Sequence, residues 1–95
     1  MRKTKEILEE TINIVTGQRQ EDYGDKVVNH KNIAELWNAY LDMDIAPHDV
    51  AICMLLVKVA RLKNRKTKDC YADMAGYAAI AGEINDTDTS ISTTE

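Results

Sequence analysis

Four segments of this chain repeat apolar residues every three or four positions. None alternates them at the two-residue period of a half-buried strand. Ile7, Leu8, Thr11, Ile12 and Val15 keep the helical spacing in the first segment, and Ile33, Leu36, Trp37, Tyr40 and Leu41 keep it in the second. The third, Val50 to Val57, is apolar on nearly every face and reads as the central helix. The fourth is lined by Ala72, Ala75, Gly76, Ala78, Ala79, Ala81 and Gly82, residues small enough to let a neighbouring helix lie very close. This patterning confines the chain to an all-α, four-helix bundle-like domain.

Local signals place the boundaries. Thr4 can cap a helix from Lys5 to Thr16, which Gly17 stops. The polar stretch 17–25 holds two glycines and reads as a loop. A second helix covers Val28 to Leu41, and 42–46 is a short turn. Pro47 fits the first position of a third helix that runs to Asn64. Lys58, Arg61, Lys63, Arg65, Lys66 and Lys68 gather at its end, which suits the negative pole of the helix dipole. Thr67 or Asp69 caps a fourth helix from Cys70 to Ile84. Residues 1–84 then form one domain, and 85–95, with almost nothing to bury, a disordered tail.

Composition narrows the function classes. The 95 residues include one Trp and no Phe, so the core is built from small aliphatics and homo-oligomerisation, as a dimer or higher, is expected. A net charge of −4 argues against DNA or RNA as a partner, yet leaves room for a small nucleotide that needs a few local cations. Cys53 and Cys70 have no metal-ligand spacing and read as free thiols in a reducing cytoplasm. The basic start lacks an apolar signal core, so secretion is not indicated. The longest apolar run is too short to span a bilayer.

Charged residues inside apolar helices are the main chemical signal. Lys58 and Arg61 are three apart, and Asp69, Asp73 and Tyr77 are four apart, so each set shares a helical face. A short connection makes the third and fourth helices an antiparallel hairpin, which brings Asp73 near the level of Lys58 and Arg61. Such a set suits a phosphate-and-metal site or a buried salt-bridge network, and residue types alone do not separate the two. The loop Arg19-Gln20-Glu21-Asp22-Tyr23-Gly24-Asp25 leads through Asn29 and His30 into the second helix. It reads as a solvated loop anchored by Tyr23, or as a place where binding residues collect. Glu6 and Glu9 have the spacing of a magnesium pair but sit on an exposed face, where glutamates at this spacing are common. His48 reads as a surface residue, and His30 as the better site candidate of the two histidines.

The ordered string Asp22-Tyr23-Gly24-Asp25, Asn29, Ile33-Ala34, Leu36-Trp37, Tyr40-Leu41, Lys58-Val59-Ala60-Arg61, Asp73 and Gly76-Tyr77-Ala78 resembles a small phage and prophage family. That family is often described as related to nucleotide-modification or MazG-like proteins, and the resemblance covers roughly residues 18–84. It implies an oligomeric helical fold in the cytoplasm of a bacterial host cell, with a pocket for a nucleoside phosphate. MazG-like enzymes hold magnesium with an E-x-x-E pair on one helix and an E-x-x-D pair on a later one. Here Glu6 and Glu9 lie outside the resembling segment, and the later helix offers Asp69 and Asp73 at spacing four.

Three functions follow as alternatives. The first is a nucleotide-binding protein of MazG-like character, with or without magnesium-dependent pyrophosphohydrolase activity on nucleoside triphosphates. In it Arg19, Lys58 and Arg61 neutralise phosphates and Tyr23 stacks on the base, with Asn29 and Tyr77 completing the ligand-binding set. Asp69 and Asp73, joined by Glu21 or Asp25, would hold the magnesium. The second is a non-catalytic sponge that sequesters a nucleotide signal of antiphage defence. The third is a structural or protein-interaction module in which Lys58, Arg61 and Asp73 form a salt-bridge network.

Overall fold

A computed structural model describes residues 1–17, 24–64 and 68–89, without the side chains at 68, 69, 88 and 89. All regular structure among these residues is helical: α1 (Thr4–Thr16), α2 (Lys26–Leu41), α3 (Pro47–Arg61) and α4 (Lys68–Thr89).

The ends at Thr16, Leu41 and Pro47 fall where expected, and capping explains those that shift. Lys3, not Thr4, is the N-cap of α1, and its backbone N–H donates to Glu6 Oε1 at 2.8 Å. Glu6 therefore closes the first turn. α2 begins at Lys26, two residues early, because Asp25 Oδ1 accepts from the N–H groups of Val27 (2.8 Å) and Val28 (3.2 Å). Its other end turns at Asp42, in the left-handed region at φ 55°, where the N–H reaches Asn38 O. The Asn38 side chain then brackets Ile45, donating to its carbonyl at 2.9 Å and accepting from its N–H at 2.6 Å. That clasp fixes the short connection to α3. Pro47 opens α3, with Asp49 Oδ2 accepting from the Ala46 N–H at 3.2 Å. α3 ends at Arg61 rather than Asn64, and turns cover 62–64.

α4 is longer than its sequence suggested. It starts before Cys70 and continues to Thr89, so the segment 85–89 expected in the tail is helical. Asp69 lies within it rather than capping it; Thr67 and residues 90–95 lie outside the described residues.

α4 is the organising helix and packs against all three others, most extensively α3 and then α1. α2 packs mainly on α3, while among the described residues α1 rests on α4 alone. The small residues of α4 permit this crowding: a Cβ on Gly76 would stand 3.0 Å from Val15 Cγ2 of α1. Beside it the buried Thr11 hydroxyl donates to Ile7 O at 2.8 Å and lies 3.3 Å from Ala72 O. The core joins Ala51 to Ile80, Ala81 and Ile84, with Val15, Val27, Ile52 and Tyr77 packed around it.

Two expectations about burial are corrected. α3 is not buried all round: Val50 and Ala51 are inside, whereas Leu56, Val57 and Val59 are exposed. Nor does the α2 stripe face the core as a whole. α2 is turned so that His30 and Ala34 point inward, which leaves Leu36 and Tyr40 out.

Candidate functional site

α1 and α2 make no contact with each other among the described residues. Between them, on a floor of α3 and α4, opens a cavity of about 470 Å³. That volume is in the usual range for small-molecule sites. Ile14 and Val15 line it from α1, and Gly24, Lys26, Asn29 and His30 from α2 and its approach. Lys58 lines it from α3, with Asp73, Gly76, Tyr77 and Ile80 from α4.

Lys58 and Asp73 meet here as the hairpin predicted. Lys58 Nζ stands 3.1 Å from Asp73 Oδ2, with side chains 16% and 9% exposed. Those exposures matter because a pair so shielded from water is a strong local field source. A pair like this contributes little net stability relative to an apolar replacement.

His30 is buried, and its ring is fixed by Nδ1 lying 2.8 Å from Lys26 O. A carbonyl only accepts, so Nδ1 is the donor and carries the hydrogen. Nε2 is then the ring nitrogen left for the cavity. The Lys26 to His30 step is one helical turn, which places the ammonium stem and the imidazole on the same wall.

The site therefore unites four residues named from the sequence, Asn29, Lys58, Asp73 and Tyr77. Arg61 does not join them; it is exposed at the end of α3 and does not line the cavity. Arg19, Glu21 and Tyr23 lie outside the described residues, as does the side chain of Asp69. Asp25 is occupied as the cap of α2. No group of three or more His, Cys, Asp or Glu side chains placed to hold a metal occurs among the described residues. His48, half-buried, lies 3.7 Å from Asp49 Oδ1 and away from the cavity lining. Lys26 is the charged cavity residue that sequence reasoning missed, and His30 the one it underrated. Their signal was the inward pair His30 and Ala34, four apart, followed by half-buried Trp37, which marks the rotation of α2.

Residues 6–85 match the family model described as Domain of unknown function (DUF6378). The chain belongs to this family. Its DUF6378 region takes in every residue of the cavity lining. The chain is similar to the Gene 55 protein of Mycobacterium phage L5, 46% identical over 69 residues, which is 70% of this chain and 44% of that protein. It is also similar to the Gene 55 protein of Mycobacterium phage D29, 40% identical over 82 residues, 85% of this chain and 54% of that protein. The chain spans about half the length of these curated relatives. The kinship of this DUF6378 chain is thus with phage proteins. No solved structure matches it. No helix among the described residues is long and apolar enough to cross a membrane.

Proposed function

We propose that the cavity binds a nucleotide or a nucleotide-derived anion and that the protein acts as a binding module. The observation that carries this reading is the convergence of Lys58, Lys26, His30, Asn29 and Tyr77 on one cavity, with Lys58 oriented by Asp73. The ammonium groups supply counter-charge for phosphates, and the shielded setting of Lys58 strengthens its attraction for an anion together with the opposing repulsion of Asp73. The Asn29 amide can donate and accept toward a base or sugar, and the Tyr77 ring with Ile14, Val15 and Ile80 offers apolar surface to its face. Asp73 then serves as the residue that holds Lys58, not as a metal ligand. The resemblance to MazG-like proteins points to the same ligand class.

Sequestration of the intact ligand fits this site better than its hydrolysis. Two-magnesium phosphoryl chemistry needs several converging carboxylates, and among the described lining residues Asp73 alone is acidic. The test is a calorimetric panel of nucleoside mono-, di- and triphosphates, cyclic dinucleotides and ADP-ribose, with and without magnesium. Saturable binding with the ligand recovered intact supports the reading. Turnover into a cleaved product would replace it with the enzyme, and no binding by any member would remove it.

A further inference from the structure

α2 buries an imidazole on the cavity wall. His30 is 6% exposed, and its Nδ1–H donates to Lys26 O at 2.8 Å, one turn back on the same helix. In the neutral ring Nε2 then has no hydrogen and can only accept. It is the nitrogen left toward the cavity, and it meets no partner among the described residues. A buried acceptor without a donor is costly, and in native proteins such groups find one. For His30 the donor comes from what enters the cavity, water or a bound molecule.

The other polar groups of the cavity discriminate less. Lys26 and Lys58 only donate, and so favour one anion much as another. The Asn29 amide carries a donor beside its acceptor and adapts to either kind of partner. Asp73 accepts, but Lys58 Nζ already stands 3.1 Å from its Oδ2. His30 differs from all of these, because burial and the bond to Lys26 O hold its acceptor in one orientation. A fixed, buried acceptor rejects a molecule that brings it no donor, since it is then desolvated and left unpaired.

We propose that His30 is a specificity-determining residue of the cavity: Nε2 accepts a hydrogen bond from an O–H or N–H group of the ligand, whose anionic group lies at Lys58. The class selected is an anion that also carries a neutral donor, a sugar hydroxyl or the exocyclic amine of a base. A bare polyphosphate satisfies the ammonium groups and not this acceptor. The inference rests on the nucleotide reading above and narrows it, and the two fail on different results.

Calorimetry of the full chain with matched nucleotides tests it. AMP and ATP are compared with their 2′-deoxy and 3′-deoxy forms, which lack a sugar donor. GMP and GTP are compared with IMP and ITP, which lack a base amine. Loss of the donor that His30 reads should weaken binding to wild type about tenfold, and to His30→Leu by less than about twofold. Which comparison shows the loss tells sugar from base. His30→Gln, with an amide oxygen near the place of Nε2, should regain part of the discrimination. Equal losses in wild type and His30→Leu, or no loss in any comparison, overturn the inference and leave nucleotide binding standing. No binding by any of these nucleotides removes the inference, and silence of the rest of the panel removes the nucleotide reading too. Imidazole nitrogen NMR needs no substitution at His30: His48→Gln leaves it as the single histidine. The hydrogen is expected on Nδ1 in the free protein. The Nε2 resonance should move with the tighter member of the matched pair and stay near its free position with the donor-deficient one. A hydrogen on Nε2 in the free protein, or equal movement with both members, overturns the inference even where His30→Leu fails to fold.

Discussion

The two walls of the cavity are built on different terms. The wall formed by α3 and α4 is backed by Ala51, Ile80, Ala81 and Ile84, and its charge is pinned where Asp73 holds Lys58. The α2 wall is lighter: α2 packs mainly on α3 and only slightly on α4, and its outer flank ends in exposed Leu36 and Tyr40. The difference separates two tasks. On the proposed binding reading, the firm wall fixes the position of counter-charge, which a ligand must find in place if ordering costs are to stay low. The lighter wall supplies polar groups from one turn of helix, Lys26 to His30.

The largest effect should come from weakening the firm wall. Ile84→Ala removes a side chain that is 1% exposed and is expected to cost about 2–5 kcal/mol. Chemical denaturation measures it, and a loss below about 1 kcal/mol would show that the wall collapses easily around the gap.

Asp73→Ala comes next, because it leaves the shielded Lys58 ammonium without its partner. The loss is expected near 3 kcal/mol, the low end for breaking a buried pair since Lys58 keeps some exposure. The double variant Lys58→Met/Asp73→Leu should recover stability to within about 1 kcal/mol of wild type while losing ligand binding. Comparing the three melts separates a pair kept for stability from one kept for binding.

Gly76→Ala sharpens the comparison at the α1 side. The added methyl would meet Val15 Cγ2 at 3.0 Å, so overpacking of about 1–3 kcal/mol opposes a helix-propensity gain of up to about 1. A small net destabilisation is expected in thermal unfolding, and a clear rise in Tm would mean that α1 yields freely. The smallest stability effect belongs to the α2 wall. His30→Leu roughly keeps the volume and loses the bond to Lys26 O, worth about 1 kcal/mol, yet it should reduce ligand affinity measurably in the same titrations.

The firm wall was more legible in the sequence than the light one, of which only Asn29 and His30 stood out. Lys58 and Asp73 stand out because a charge within an apolar helix requires a partner, and the short connection between α3 and α4 leaves few candidates. α2 offered two overlapping apolar stripes, and periodicity alone does not choose between them. Ile33, Leu36, Trp37, Tyr40 and Leu41 is the larger set, but its centre is turned away from the packed face. The packing of small Ala34 and hydrogen-bonded His30 against the rest of the domain decides the rotation, which is a tertiary choice. Lys26 escaped notice because helix propensity placed the start of α2 at Val28, while the Asp25 cap sets it two residues earlier. The end of α4 was misjudged for a related reason. The polar residues 85–89 have little to bury, yet they prolong a helix that the packing upstream has already nucleated.

The central claim is that the cavity carrying the Lys58–Asp73 pair is an anion-binding, nucleotide-class site. Isothermal titration of the nucleotide panel into wild type and into Lys58→Met/Asp73→Leu, both verified as folded, tests it most directly. Saturable binding of at least one member to wild type, weakened by salt and lost in the double variant, is the predicted result. A folded wild type that binds none of them, or a double variant that binds as tightly as wild type, would contradict it.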